Sequence, residues 1–250
     1  MSSVSNVSLA NAYANLSSGS QINKAADNAS GLAISEKLNT QSTGFEVGAK
    51  NAQDGISMMN ISDGALSGIQ DSLQRIRELG LKASNGLYTA DDKAYIQKEI
   101  EGLKKSIQET AKGTTFNEMT LLDGSKADVD LATNPSGGGL SIQMVNSTLE
   151  SLGIADFDVT GKFNLEDIDK AMDKISAARS TLGAQTNTLQ HTINYNNYAH
   201  YNLTAANSRI RDTDFADEII KKNREEMLEK YRIFGIQAKK DADAGILRLF

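Results

Sequence analysis

Residues able to do acid–base or metal chemistry are few and poorly spaced in this 250-residue chain. Its two histidines, His191 and His200, are nine positions apart, which is not a metal-ligand spacing, and no nearby carboxylate completes a site. Asp54 and Asp63 could act as an acid–base pair only across a cleft, and the helical pattern around them favours solvated carboxylates. The sequence has no zinc motif, phosphate-binding loop or nucleophile elbow. We therefore predict that the protein is not an enzyme and needs neither a metal nor a cofactor.

The composition of the chain argues against several kinds of partner, segment and covalent bond. A net charge of −6 gives no basic field to displace the counterions of a nucleic acid, so no nucleic-acid partner is expected. The longest uncharged stretches are broken by Asn, Ser and Gln, and none approaches the roughly 20 apolar residues of a membrane span. The first ten residues have neither a basic start nor a continuous apolar run, which argues against a cleaved secretory signal. The absence of cysteine excludes disulfides and thiolate metal sites.

Long helices must form the scaffold, because the only proline, Pro135, lies in the middle of the chain. A seven-residue apolar repeat predicts one helix over residues 164–211, capped by Asn164 with Asp167 at its third position. Alternating three- and four-residue spacings predict another helix from about Thr43 to Ser84. We expect the two to pair, with Leu182 and Leu189 facing the helix that contains Leu66 to Ile76.

Shorter elements complete the prediction. After a loop, Thr89 can cap a third helix. Apolar alternation on both sides of a turn-rich insert predicts a small β-hairpin, with Val129 and Leu131 in one strand and Leu140 and Ile142 in the other. Asp214 and its neighbours can cap a last helix that begins near Phe215 and runs toward Ala244.

The stretch "NLSSGSQINKAADNASGLAISEKL", from Asn15 to Leu38, has the small residues of a linker yet keeps recurring apolar positions. Its alanines and glycines permit close backbone approach, and Gly19 and Asn23 can adopt positive φ at a bend. We interpret the stretch as a joint that also packs.

Several ordered blocks resemble the signatures of bacterial flagellins. The first is "LSSGSQINKAADNASGLAIS" at 16–35, followed by "NAQDGISMMNISDGAL" at 51–66 and "LQRIREL" at 73–79. The second half of the chain adds "ARSTLGAQTNTL" at 178–189 and "NLTAANSRIRDTDFA" at 202–216. The resemblance covers most of the chain, and the order of the blocks is that of the family.

The resemblance implies a mainly α fold. Both chain ends would form a long antiparallel helical bundle or coiled coil, with a small β-hairpin region in the middle at about 121–162. A discontinuous terminal assembly domain would comprise 1–30 and 212–250, and a helical core domain 31–211. The middle is too short for large outer domains, and the first helix is shorter than flagellins usually carry, so we expect an incomplete terminal domain.

In function, the resemblance implies a structural subunit that self-assembles into the extracellular bacterial flagellar filament for motility. It would be secreted unfolded, with a flagellar export chaperone as partner. A last-helix set would serve assembly: Phe215, Ile219, Met227, Tyr231 and Phe234. A vertebrate innate-immune flagellin receptor would contact the outer side of the "LQRIREL" helix and the next helix, where Arg75, Leu79 and Glu99 occupy the matching positions.

Alternatives stay open at this point. A hook–filament junction protein has related ends, and a flagellin-like protein that no longer polymerises could act only as a ligand for a chaperone or receptor.

The last helix also carries more charge than the family usually shows. On it Lys221 with Glu225, Lys222 with Glu226, and Glu226 with Lys230 are four residues apart and could form pairs, a pattern that favours a solvated or channel-facing helix.

Overall fold

The computed structural model describes the backbone of residues 2–247 and the side chains of residues 8–241. Residue 1 and residues 248–250 of the predicted assembly domain lie outside this range. Six helices and four short strands make up the described part of the protein: α1 (Ser2–Ser18), α2 (Ala29–Ala83), α3 (Ala90–Gly113), β1 (Thr115–Phe116), β2 (Met119–Thr120), β3 (Asp128–Ala132), β4 (Gly139–Gln143), α4 (Leu149–Leu152), α5 (Leu165–Arg211) and α6 (Phe215–Leu247). The predicted fold class, mainly α with a small β region, is confirmed.

The chain divides into two compact units. Unit 1 comprises Met1–Ser42 with His200–Phe250, and unit 2 is the continuous segment Thr43–Ala199. Each unit therefore contains part of α2 and part of α5. The predicted assembly domain, residues 1–30 with 212–250, stays a prediction about which residues act together in assembly.

In unit 2, α2 and α5 pack antiparallel around an apolar core. The fully buried side chains include Leu66, Leu73 and Ile76 of α2 and Ile168 and Ile175 of α5. Spacings of seven residues, and of three from Leu73 to Ile76, keep each set on one face of its helix, which is the packing that the repeat predicted.

Polar contacts at the edge of the core show the register of α2 against α5. Arg179 Nε donates to Asp63 Oδ1 at 2.7 Å, and Arg77 Nε donates to Asp169 Oδ1 at 2.6 Å. Leu189 lies against Gly55 in this register, so the expectation that it faces the helix containing Leu66 to Ile76 is confirmed. A seven-residue repeat looks the same after a slide of one heptad, and the apolar pattern alone does not choose between such registers.

The long helix α2 begins at Ala29, fourteen residues before the predicted start near Thr43. The seam of α2, which is the line of buried residues along one face of the helix, continues upstream in small polar residues. Ser35 and Ser42 are buried at the same seven-residue spacing as Ala49 and Ile56. Asn28 caps this start through its Oδ1, which accepts from the Gly31 N–H at 2.8 Å. Serine in place of an apolar residue hid this part of the seam.

Capping residues at the other helix starts were mostly predicted. Thr89 forms a capping box with Asp92 at the start of α3, as expected. Asn164 caps α5, but its Oδ1 accepts from the Glu166 N–H at 3.0 Å, so the predicted role of Asp167 is wrong. Asp214 accepts from the Ala216 N–H at 3.0 Å at the start of α6.

Two antiparallel hairpins follow α3. The predicted one is confirmed: β3 pairs with β4, with Val129 opposite Ile142 and Leu131 opposite Leu140. The β1–β2 hairpin was not predicted, because its two-residue strands carry no periodicity and its turn places Asn117 and Glu118 at positive φ. The short helix α4 was also missed.

The β3–β4 hairpin approaches α2 closely where glycine leaves room for it. A Cβ on Gly48 would lie against the Thr133 carbonyl oxygen and 2.7 Å from its carbonyl carbon. Behind this contact, the buried Asn196 of α5 donates from Nδ2 to the same carbonyl oxygen at 2.7 Å. The tip of the hairpin is therefore held by a backbone contact that only glycine permits.

Replacing Gly48 by Ala should lower the free energy of unfolding by about 1–3 kcal/mol, because backbone atoms have to move apart. Gly68→Ala is the matched control on the same helix, since a Cβ there meets nothing within 4 Å. It should raise stability by about 0.5–1 kcal/mol through helix propensity. Urea unfolding followed by circular dichroism measures both changes, and equal effects of the two variants would contradict the close approach.

Candidate assembly and recognition surfaces

The two breaks in helix near the chain ends pair with each other in unit 1. Gly19 has φ of +68°, which turns the chain out of α1 as predicted. The Gln21 N–H donates to the Arg211 carbonyl at 2.8 Å, and the Thr213 N–H donates to the Gly19 carbonyl at 3.0 Å. Ser20 and Asp212 form an antiparallel bridge between them. The small-residue stretch is thus a joint that ties the two ends of the protein together, but its alanines, Ala25, Ala26, Ala29 and Ala33, are exposed, so the prediction that they pack is wrong.

A side-chain turn completes the joint. Asn23 does not adopt positive φ, so that part of the prediction is wrong. Its N–H and that of Lys24 donate to the Asp27 carboxylate at 2.9 and 2.8 Å, and the Asn23 side chain donates to the Ser20 carbonyl at 2.8 Å. The N–H donors of Lys24 and Asn23 lower the pKa of Asp27 below its ordinary value. These local hydrogen bonds hold the bend without positive φ at Asn23.

Helix α1 packs along α6 through a polar contact between the chain ends. The Tyr13 hydroxyl donates to Glu226 Oε1 at 2.6 Å, and Lys222 Nζ lies 5.0 Å from the centroid of the Tyr13 ring. Asn15 Nδ2 donates to Oε1 of the buried Glu218 at 3.2 Å. The hydrogen bond with Glu226 raises the pKa of Tyr13, and the same bond, helped by Lys222, lowers the pKa of Glu226.

On the side of α6 away from Glu218, Lys222 and Glu226, spacings of seven, four and three residues place Ile220, Met227, Tyr231 and Phe234 in an apolar row. With these four, nine large apolar side chains of the helix are exposed: Phe215, Ile219, Ile220, Met227, Leu228, Tyr231, Ile233, Phe234 and Ile236. The five residues of the predicted assembly helix are all among them. Phe234 is 75% exposed and Tyr231 71%, although their helix already has a partner in its own subunit.

Charged residues also line α6, and some pair along it. Lys222 contacts Glu226 at 3.3 Å, as predicted. Lys221 instead pairs with Glu218, one turn earlier, at 3.1 Å, because the buried Glu218 carboxylate lies within its reach. Pairs on a partly exposed helix contribute only about 0.3–0.5 kcal/mol each. Glu218, Lys222 and Glu226 also contact α1, so these pairs lie on the side of the helix that faces α1.

In unit 2, two of the three predicted recognition residues form a surface ion pair. Arg75 of α2 donates from Nη2 to Glu99 Oε1 of α3 at 2.7 Å and from Nε to the same oxygen at 2.9 Å. This hydrogen bond raises the pKa of Arg75. The Leu79 side chain is only 4% exposed and belongs to the core, so its expected place on the outer side is wrong. Leu79 supports the helix beneath the ion pair.

No group of three or more metal-ligating side chains comes together in the described part of the protein. None of the described helices has an apolar stretch long enough to cross a bilayer.

Family comparisons agree with this arrangement of long terminal helices. The family model of the bacterial flagellin N-terminal helical region matches residues 3–127, and that of the C-terminal helical region matches residues 165–234. The chain belongs to the bacterial flagellin family. A flagellin of Halalkalibacterium halodurans is 37% identical over 86% of this chain and 82% of the relative. The flagellar filament 33 kDa core protein of Treponema phagedenis is 35% identical over 89% of this chain and 85% of its own length.

A solved structure supports the same fold. The crystal structure of Bacillus cereus flagellin superposes with a TM-score of 0.53 at 29% identity, covering 59% of this flagellin and 88% of that chain. The segment between the two matched regions, residues 128–164, holds the β3–β4 hairpin and α4. The middle of the chain is therefore the part that the family models leave unmatched.

Sequence reasoning missed the residues of this flagellin that join α1 to α6. Tyr13, Asn15 and Glu218 were not singled out, although they make the contacts between the chain ends. The one available signal was that Tyr13 is the only aromatic residue of α1. Its partner is 213 positions away, and no local pattern connects the two.

Proposed function

We propose that this flagellin is a structural subunit that assembles with further copies of itself into a bacterial flagellar filament. The row of exposed apolar side chains on α6 is the observation that carries the proposal. Its helix is already paired with α1, so the remaining apolar side needs a partner from outside the subunit. The filament core proteins among its relatives support a second copy as that partner.

The energetics of this row favour association. Burying one large apolar side chain removes it from water with a gain of about 1.5–3 kcal/mol. Side chains such as Ile219 and Phe234, both exposed, stand on one helix and recur in every copy. In a helical polymer the same patch meets the same neighbour at each step, so a modest gain per contact is repeated along the filament. The chain ends, and not the hairpin region, would then form the inner part of the filament.

Assembly is tested directly with the full-length protein. Purified protein at increasing concentration should pass a threshold above which a sedimenting polymer forms and below which the monomer stays in the supernatant. The polymer should also grow faster when short polymer fragments are added as seeds. Absence of any seeded polymer over the accessible concentration range would overturn the proposal.

A secreted location follows from the same proposal. The filament is an extracellular structure, and the family resemblance supports export of the unfolded chain through the flagellar secretion channel. An export chaperone would have to cover the apolar side of α6 before assembly, because a free amphipathic face aggregates. The relatives are flagellins and filament core proteins, which favours a filament subunit over a hook–filament junction protein.

The Arg75–Glu99 pair is the proposed contact for a vertebrate innate-immune flagellin receptor. Both side chains are about half exposed, and the pair joins α2 to α3 on one surface of unit 2. Arginine is a frequent anchor of protein interfaces. Leu79 contributes only by supporting this surface.

Arg75→Ala in a monomeric preparation should weaken receptor binding by about 1 kcal/mol or more, roughly a fivefold rise in Kd. Arg77→Ala is the matched control, because Arg77 is equally exposed but binds Asp169 of α5 instead of Glu99. Binding is measured by surface plasmon resonance with the receptor ectodomain. Equal losses in the two variants would remove Arg75 from the receptor contact.

A further inference from the structure

We infer that Asn85 is a site of spontaneous covalent modification, at which its side-chain amide is lost through a cyclic succinimide formed with Gly86. Asn85–Gly86 is the one Asn–Gly pair in the sequence. Both residues are exposed in the loop between α2 and α3. The inference concerns the chemistry of this loop and does not depend on filament assembly.

The attacking atom of this reaction is unengaged. The nitrogen of Gly86 must reach Cγ of the preceding side chain, and in the described part of the protein its N–H donates no hydrogen bond. A Cβ on Gly86 would meet nothing within 4 Å, so open space surrounds this peptide. Glycine also has the widest choice of backbone torsions, which the ring closure needs.

The carbonyl that is attacked is already held in a useful geometry. Asn85 Oδ1 accepts a hydrogen bond from the Leu87 N–H at 3.1 Å. This bond keeps Cγ folded back over the Gly86 peptide. The same donor faces the oxygen on which negative charge develops when the nitrogen adds, as an oxyanion-stabilising group does. The loop thus lowers the cost of reaching the tetrahedral intermediate.

The reaction balances with water as its only co-reactant. Gly86 gives its amide proton to solvent, and its nitrogen bonds to Cγ of Asn85. The bond between Cγ and Nδ2 of Asn85 then breaks, and Nδ2 takes a proton from solvent and leaves as ammonia. Water opens the succinimide at either carbonyl, which yields aspartate or isoaspartate at position 85.

The product changes the loop. A carboxylate at this position lies at the carboxyl end of α2, where the helix dipole disfavours negative charge. Isoaspartate also adds one methylene to the main chain, which disturbs the turn in which the Tyr88 N–H donates to the Asn85 carbonyl at 3.2 Å. Modified copies should therefore show faster amide hydrogen exchange over residues 84–89. The fraction of modified copies in a sample should therefore rise with its age.

The protein supplies its own control at Asn146–Ser147. Asn146 Oδ1 also accepts from the N–H two residues on, that of Thr148, at 3.0 Å. The next amide is engaged there, because the Ser147 N–H donates to the Leu122 carbonyl at 2.8 Å and Ser147 is fully buried. The two sites share the side-chain geometry and differ in whether the attacking nitrogen is available.

The test incubates the full-length protein at neutral and mildly alkaline pH, both native and unfolded in urea, and follows both sites by peptide mass spectrometry. At Asn85 the native rate should equal or exceed the unfolded rate, both should rise with pH, and isoaspartate should appear beside aspartate. At Asn146 the native rate should fall at least about tenfold below the unfolded rate, because the fold holds its attacking nitrogen. Gly86→Ala should slow the native reaction at Asn85 by roughly tenfold, because a Cβ restricts the torsions that close the ring.

Three results would overturn the inference. One is a native rate at Asn85 as strongly suppressed as that at Asn146. Another is the appearance of aspartate without isoaspartate, which indicates direct hydrolysis. The third is an unchanged rate in the Gly86→Ala protein, whose circular dichroism serves to show that the fold is retained.

Discussion

Leu189→Asp should lower the free energy of unfolding by about 3–5 kcal/mol, because it buries a carboxylate without a partner. Leu189 is fully buried. With Leu131 and Ile142 of the β3–β4 hairpin, its side chain fills the space over Gly55. None of these neighbours offers a positive charge or a side-chain hydrogen-bond donor. The variant should lose helical circular dichroism at a much lower temperature than the parent.

Gln190→Asp is the matched control, since it adds the same charge to the next position of α5, where the side chain is exposed. Its melting temperature should stay close to that of the parent, in line with the small effects of surface substitutions. If the two variants melt together, Leu189 does not lie in the core of unit 2 and the register of α2 against α5 is wrong.

Phe234→Asp should raise the protein concentration needed for assembly by roughly 30-fold, which corresponds to about 2 kcal/mol per subunit. Phe234 is 75% exposed in the single subunit, so the substitution removes no internal packing. It places a carboxylate in the apolar row that a neighbouring copy is proposed to cover. The threshold concentration is read from sedimentation of the polymer.

Gln237→Asp adds the same charge to an exposed position of the same helix outside the apolar row. Its threshold should lie within a few-fold of the parent, and both variants should retain the circular dichroism of the monomer. An equal rise in threshold for the two would mean that added charge, and not loss of the apolar contact, opposes assembly.

The sequence predicted the helices best where apolar residues repeat without a break. The α5 seam from Ile168 to Leu189 and the end of α2 near Ala83 were both found this way. The start of α2 was missed because Ser35 and Ser42 occupy its seam, and buried serine looks like surface in a hydropathy pattern. Local capping chemistry, as at Thr89, needs only three or four neighbouring residues and was predicted correctly.

Features that depend on contacts between residues far apart in the chain could not be predicted from the sequence. Leu189 lies over Gly55 in a register in which Arg179 pairs with Asp63 and Arg77 with Asp169, and a heptad repeat does not encode that register. The partner of Tyr13 lies on another helix near the opposite end of the chain. Helical spacing singled out Met227, Tyr231 and Phe234 of the α6 row but not Ile220, and their role in assembly stays a prediction. The exposure of Leu79 was predicted wrongly, because Arg75, one helical turn away, is exposed and the family motif does not show which of its residues are buried.

Cryo-electron microscopy of polymer grown from the purified full-length protein tests the central claim most directly. The account predicts a helical polymer in which α1 and α6 of neighbouring subunits lie against one another in the inner wall, with Tyr231 and Phe234 buried between copies. A polymer whose α6 row faces solvent, or a protein that stays monomeric when seeded at high concentration, would contradict it.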